Sequence, residues 1–150
     1  MTQVDFLVVG AGMAGASTAY FLAPRGKVVV LERESQPGYH STGRSAALFS
    51  ETYGSDQVRV LSHASRAFFE HPPEGFCDVP ILTPRPVLMV AAPGDEATLE
   101  VELAAMRRVT PEVSRLSAAE VLARVPVLRP ETTGDAILEP HACDIDVDAL

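Results

Sequence analysis

The stretch Val4-Asp5-Phe6-Leu7-Val8-Val9-Gly10-Ala11-Gly12-Met13-Ala14-Gly15 decides the fold. Phe6 to Val9 is a short apolar run that feeds into Gly10-x-Gly12-x-x-Gly15, and a small-residue helix pattern follows from Ala14 to about Leu22. Lys27-Val28-Val29-Val30-Leu31 then reads as a second strand ending on Glu32. Each glycine has its own mechanical use. Gly10 permits the tight turn out of the strand, Gly12 lets a pyrophosphate approach the backbone, and Gly15 lets the helix pack close to the sheet. The helix N-terminus offers free N–H groups and a partial positive charge to phosphates. Glu32 stands where a carboxylate accepts hydrogen bonds from a ribose diol. Strand, loop, helix, strand and acid together predict an adenine-dinucleotide site in a Rossmann-like βαβ unit.

Working outward, Ala16, Ala19 and Ala23 keep the helix close to its sheet, and Pro24 with Gly26 ends it. The uncharged run from Phe6 to Pro24 has the length of a membrane span. Its glycines and alanines suit packing against a cofactor, and Asp5 stands where a signal peptide would be basic. No membrane span is expected, and a cytoplasmic location follows by default. At 150 residues the chain can bury a core, and 47% hydrophobic residues mark it as globular. A formal net charge of -8 argues against a nucleic-acid partner. Cys77, Cys143 and the four histidines show no metal-ligand spacing.

After Glu32 a nicotinamide-type domain would run on into another helix and a third parallel strand. Here Arg33-Glu34-Ser35-Gln36-Pro37-Gly38 leads instead into Tyr39-His40-Ser41-Thr42-Gly43-Arg44-Ser45-Ala46-Ala47. Hydroxyls, glycine and one fixed cation make a phosphate-facing loop. The glycine motif, Glu32-Arg33 and Pro37-Gly38-x-His40-Ser41-Thr42-Gly43-Arg44-Ser45-Ala46 together resemble the N-terminal part of the FAD-dependent D-amino-acid oxidase superfamily. The layout from Val4 to Leu150 is similar to that of the D-arginine dehydrogenases within it.

That resemblance implies FAD rather than NAD. It places Gly10, Gly12, Ala14 and Gly15 along the pyrophosphate and Glu32 and Arg33 at the adenosine ribose. Ser41 to Leu48 would run under the flavin, with Ser45, Ala46 and Ala47 nearest the ring. It further implies that Leu48 to Ser55 reaches the substrate and can act as a lid, with Gly54 as hinge and Tyr53 lining the pocket. The D-arginine dehydrogenases carry a carboxylate where Val87 stands here, and a polar residue where Leu48 stands. A buried cation facing Val and Leu would be poorly compensated, so a neutral amino acid or amine is the expected substrate.

The rest of the chain reads as part of an α+β substrate domain. Ser55 and Asp56 can cap a helix over Gln57 to Glu70, whose apolar stripe Val58, Leu61, Ala64, Phe68 and Phe69 suggests core. Val87 to Ala92 reads as a strand opening a separate sheet, and Gly94-Asp95 opens a helix to about Val109. Ser117-x-x-Glu120 is a capping box for a helix ending near Arg124, and Asp135 to Glu139 is a further strand. Asp144 to Leu150 reads as the acidic first turn of a helix, with Asp146 as N-cap. The expected organisation is residues 1–55 as the first part of an FAD-binding domain, 56–142 as part of a substrate domain, and 143–150 as the start of a return to the first. The chain is read as the N-terminal portion of a longer enzyme, whose remainder would supply further FAD contacts and an arginine for a substrate carboxylate.

The leading expectation is an FAD-dependent oxidoreductase. It would take a hydride from the α-carbon of a neutral D-amino acid to flavin N5, leaving an imine that hydrolyses. No catalytic side chain and no electron acceptor is assigned. The alternatives are an NAD-type dehydrogenase with an unusual loop, and a non-catalytic FAD-binding module.

Overall fold

The computed structural model describes residues 3–150, which form two compact units divided between Ala46 and Ala47. In the first unit, β1 (Phe6–Val9) and β2 (Val28–Leu31) pair in parallel, with Phe6 opposite Val28 and Val9 opposite Leu31. The connection is α1 (Met13–Leu22) followed by a 3₁₀ turn, Ala23–Arg25. Pro24 sits in the first positions of that turn, where its missing N–H has no acceptor to satisfy. The uncharged stretch is thus divided into a strand, a glycine turn and a ten-residue helix. Among the described residues no helix is long and apolar enough to cross a membrane.

The second unit holds the core. Its strands are β3 (Leu48–Phe49), β4 (Leu82–Pro84), β5 (Val87–Val90), β6 (Ser114–Leu116), β7 (Ala136–Glu139) and β8 (Cys143–Ile145). Its helices are α2 (Asp56–Glu70), α3 (Glu96–Met106) and α4 (Ala118–Arg124). One antiparallel sheet runs β3-β8-β4 and the other β5-β7-β6. Leu99, Leu103 and Met106 recur at helical spacing on α3 and are buried with Val113 and Ile137. Leu116, Val121 and Ala136 form a second buried cluster. Ser117 and Glu120 close the anticipated capping box at the start of α4.

The two sheets share their chain segments. Residues 82–90 run through β4 and β5, and residues 136–145 run antiparallel to them through β7 and β8. Between the sheets, Arg85 and Pro86 on one side face Pro140, His141 and Ala142 on the other, a two-against-three bulge. The Arg85 N–H donates to the Ala142 carbonyl at 2.9 Å, so pairing continues across the bulge.

Four expectations need correction. The early stripe of α2 is not core: Val58 and Leu61 are 43% and 66% exposed, and the buried residue there is Arg59. Packing of α2 comes from its C-terminal half, where Phe69 meets Phe49 edge-on at 5.6 Å. Ser55 holds the N-cap position of α2, but its side chain makes no capping bond. α3 ends at Met106 rather than Val109, because Arg108 and Val109 donate to the carbonyls three residues back and tighten the last turn. Cys143 to Ile145 is a strand, since β3 and β4 pair with both of its edges. The capping role of Asp146 does appear one step later: its Oδ1 accepts from the N–H groups of Asp148 and Ala149. Leu48 and Phe49, paired with β8, belong to the second unit.

Leu103 is 3% exposed at the centre of the larger cluster. Leu103→Ala is expected to destabilise the second unit by about 2–5 kcal/mol. Urea denaturation followed by circular dichroism checks this, and a loss below about 1 kcal/mol would show that the cluster is not the core.

Candidate functional site

Within the first unit the site is built by the turn from β1 into α1. Gly10 takes φ +95°, a backbone conformation open to glycine and strained for other residues. A Cβ on Gly15 would collide with the Gly10 carbonyl oxygen and lie 3.3 Å from Val8 Cγ1. Val8 lies in β1 and Gly10 follows one step past its end, so the helix can start this close to the strand only with glycine there. Gly12 occupies the N-cap with extended backbone and, having no side chain, cannot supply a capping bond. Thr42 does so instead: its Oγ1 accepts the Met13 N–H at 3.0 Å. The Ala14 and Gly15 amides stand in the first turn, where N–H groups have no intrahelical acceptor.

Glu32, just past the end of β2, closes the other side. Its Oε2 accepts the Ala11 N–H at 2.7 Å, and its Oε1 accepts the N–H groups of Arg33 and Glu34 at 2.7 and 3.0 Å. One carboxylate thereby fixes the glycine turn to the strand tip. These amide bonds, from Glu34, Ala11 and Arg33, hold the Glu32 carboxyl below its ordinary pKa. Glu34 is likewise lowered, by hydrogen bonds from His40 and Arg33.

Residues 33–46 fold back over this turn. Gly38 donates its N–H to the Ala11 carbonyl at 3.1 Å, and Gly43 donates to the Gly38 carbonyl at 2.7 Å. Gly12, Glu32, Glu34, Gly38, Tyr39, His40, Ser41 and Thr42 line a concavity of about 160 Å³. Of the residues nominated from sequence, the fold brings Gly12, Glu32, Ser41 and Thr42 together there, beside Gly10, Ala14 and Gly15 of the turn. Arg33 is an exposed side chain paired to Glu34 at 2.7 Å. Arg44 lies over the Tyr39 ring, 5.1 Å from its centroid. Ser45 donates its N–H to the Thr42 carbonyl, and Ala46 ends the unit. Glu34 and His40, bonded at 2.9 Å, were not nominated from sequence. The available signal was an acid two positions beyond Glu32 and a histidine at the head of the Ser-Thr-Gly-Arg block. A cradle without side chains at the turn, amides at a helix start, and an acceptor at the strand tip fit a dinucleotide.

The second unit carries the remaining nominated residues. Ala47 adopts φ +52° and accepts the Ile145 N–H at 2.7 Å, which starts the pairing of β3. Leu48 is 37% exposed, Tyr53 is 77% exposed, and Val87 is half-buried in β5 opposite Glu139. The stretch read as a lid is anchored through most of its length. Glu139, 1% exposed, accepts from Ser50 Oγ at 2.7 Å, Glu51 N–H at 2.8 Å and Thr52 Oγ1 at 2.5 Å. Glu51, also buried, bonds His63 Nδ1 at 2.8 Å and Arg66 at 3.0 Å. Burial works against the Arg66 charge, yet the hydrogen bonds it donates to Glu51 and Glu70 raise its pKa above the ordinary guanidinium value. Only Tyr53, Gly54, at φ +82°, and the N-cap residue Ser55 follow the anchored segment before α2 begins. None of this network was legible beforehand, because Glu139 lies 87 to 89 residues from its donors.

Comparison with known proteins agrees with this geometry. Residues 5–150 match the family described as FAD dependent oxidoreductase. Glycine oxidase from Geobacillus kaustophilus superposes with a TM-score of 0.81 at 22% identity, covering 99% of this chain and 42% of that one. FAD-bound L-alpha-glycerophosphate oxidase from Mycoplasma pneumoniae gives a TM-score of 0.83 at 20% identity, covering 98% and 40%. In sequence, 62 residues are 44% identical to the bifunctional protein MnmC of tRNA 5-methylaminomethyl-2-thiouridine biosynthesis from Acidovorax sp. (strain JS42). That match covers 41% of this chain and 10% of MnmC. The chain therefore spans less than half the length of the proteins it resembles.

Two outcomes follow from the turn. Gly15→Ala must push α1 off β1 and is expected to abolish retention of FAD by the complete protein, read as loss of visible flavin absorbance after gel filtration; full retention would show that the turn does not carry the cofactor. The second outcome concerns acid. The folded loop holds the Glu32 and Glu34 carboxyls below their ordinary range, so their stabilising effect is complete above the unfolded pKa of about 4.3. It is lost as the pH falls through the lowered values. Flavin retention should be flat from neutrality to about pH 5 and decline below it, whereas Glu32→Gln should retain less at neutrality and show a shallower decline. Identical acid profiles for the two proteins would exclude Glu32 as the group responsible.

Proposed function

This chain belongs to the FAD dependent oxidoreductase family, with FAD as its cofactor, and from that premise we propose that the complete protein oxidises the C–N bond of a neutral amino acid, of D configuration, in the cytoplasm. In this reading Gly10, Gly12, Ala14 and Gly15 lie along the FAD pyrophosphate. Glu32 and Arg33 serve the adenosine ribose, and Ser41 to Leu48 back the flavin. Glu32 is suited to its part because a carboxylate with three backbone donors still has acceptor capacity for a ribose hydroxyl. Bound FAD supplies the two-electron acceptor at N5, and the oxidised substrate leaves as an imine that water hydrolyses. The protein's own share is to orient the substrate, exclude water and keep the amine beside the acceptor.

One observation carries the neutral substrate. Val87 and Leu48 are apolar, and the carboxylate paired in register with Val87, that of Glu139, is already committed to three donors. A guanidinium or ammonium side chain beside Val87 would have to break that set to gain a counter-ion. The amine chemistry is supported by the likeness to a glycine oxidase, while the glycerophosphate oxidase marks C–O oxidation as the competing outcome.

The deciding measurement is an anaerobic visible spectrum of the complete protein with D- and L-amino acids of differing side chains. Bleaching of the oxidised flavin band by D-leucine or D-phenylalanine, with little response to arginine or lysine, is the expected result. Faster bleaching by arginine would overturn the neutral pocket, and bleaching by glycerol phosphate alone would overturn C–N oxidation. Val87→Glu should raise kcat/KM for D-arginine relative to D-leucine by about 10-fold or more, the range of a charge-assisted hydrogen bond. An unchanged ratio would remove Val87 from the pocket.

A further inference from the structure

We propose that Glu139 is a positioning residue for the substrate site. It holds the Ser50-Glu51-Thr52 turn so that Tyr53 and Val87 keep a fixed spacing. The inference rests on the reading of Tyr53 and Val87 as substrate contacts. Glu139 ends β7 and is 1% exposed. A carboxylate in such a place is costly unless its oxygens are satisfied. Here Oε2 accepts from Ser50 Oγ and Thr52 Oγ1, at 2.7 and 2.5 Å, and Oε1 accepts from the Glu51 N–H at 2.8 Å. All three donors come from consecutive residues, and the next residue is Tyr53. On its other side Glu139 is the ladder partner of Val87. A single residue therefore links the two nominated contacts, which are 34 positions apart in sequence, its side chain to the turn before Tyr53 and its backbone to Val87.

The arrangement is more specific than general anchorage. Thr52 is 2% exposed and Tyr53 is 77% exposed, so burial ends between them. Gly54, at φ +82°, follows at once, and its Cβ would meet Val58 of α2 at 3.2 Å. The backbone of Tyr53 thus has a fixed side at Thr52 and a permissive side at Gly54. Loss of the Glu139 bonds would release the fixed side. Glu51 adds a second hold: its carboxylate ties the same turn to α2 through His63 and Arg66. Glu51 cannot replace Glu139, because its bonds orient the turn toward the helix and not toward β5.

The test compares the complete FAD-loaded protein with Glu139→Gln and Thr52→Val, and with Ser117→Ala as a variant weakened at a helix cap remote from the turn. Hydrogen exchange at the amides of residues 51–54 measures the hold without any substrate. It should accelerate at least about tenfold in Glu139→Gln, with the amides of β5 and β6 little changed. Steady-state kinetics with the best amino acid then measure the consequence. KM should rise about tenfold in Glu139→Gln, by less in Thr52→Val, with kcat changed less than KM and flavin retention unaltered. Ser117→Ala should lower Tm and leave KM as it was. Unchanged exchange at 51–54 overturns the proposal whatever the substrate is. Accelerated exchange with an unchanged KM also overturns it, and leaves amino-acid oxidation standing. If no amino acid is turned over by the parent protein, the substrate reading falls, and the positioning of Tyr53 is judged by the exchange result alone. Should Glu139→Gln fail to fold, Thr52→Val carries the same two measurements.

Discussion

Lack of room between Gly15 and the Gly10 carbonyl is the constraint on which the first unit depends. Because the helix begins against the strand, its first amides stand at the end of the sheet instead of to one side of it. The same closeness lets Glu32 reach across from the neighbouring strand tip to the Ala11 amide, and lets Thr42 reach the Met13 amide. The loop after β2 has no regular secondary structure of its own. It is held by these contacts and by Gly38 on the Ala11 carbonyl. A turn that cannot admit one methyl group therefore organises more than thirty residues around it.

The second unit solves a different problem. Its strands are short, three or four residues apart from the two of β3, and short strands contribute few hydrogen bonds each. Helix α3 supplies an apolar face, and the buried carboxylate of Glu139 supplies a polar junction where Ser50 to Thr52 would otherwise bury unsatisfied groups. Apolar packing and a saturated polar cluster thus sit at opposite ends of the unit's central strand, β7, with Ile137 in the first and Glu139 in the second.

What could be read from sequence was what is local. The glycine turn, the valine run of β2, the spacing on α3 and the Ser117–Glu120 box each declare themselves within a dozen residues, and each stands where expected. The site residues legible in advance were likewise those of one contiguous motif. Where reading went astray, tertiary pairing prevailed over local tendency. Cys143-Asp144-Ile145 carries an acid-rich helix-start signal, yet two neighbouring strands claim its backbone. Val58 and Leu61 have core-like spacing, but the surface that α2 buries in this unit is supplied by Phe69 and by the Arg59 stem. Glu139 gave no signal, since a lone glutamate before a proline means nothing until its distant donors are in place.

The bulge between the two sheets has a consequence for how this unit can change in length. Side chains alternate faces along a strand, so one unmatched residue inverts the alternation of one sheet relative to the other. The segment from Ala136 to Ile145 therefore carries two patterns in opposite phase, one read by β5 and β6, the other by β3 and β4. Loss of a single residue at Pro140 to Ala142 would remove the offset between the two registers and with it the bulge. The joint is tolerant of added length only in pairs, and in that respect it acts as a parity check on the chain.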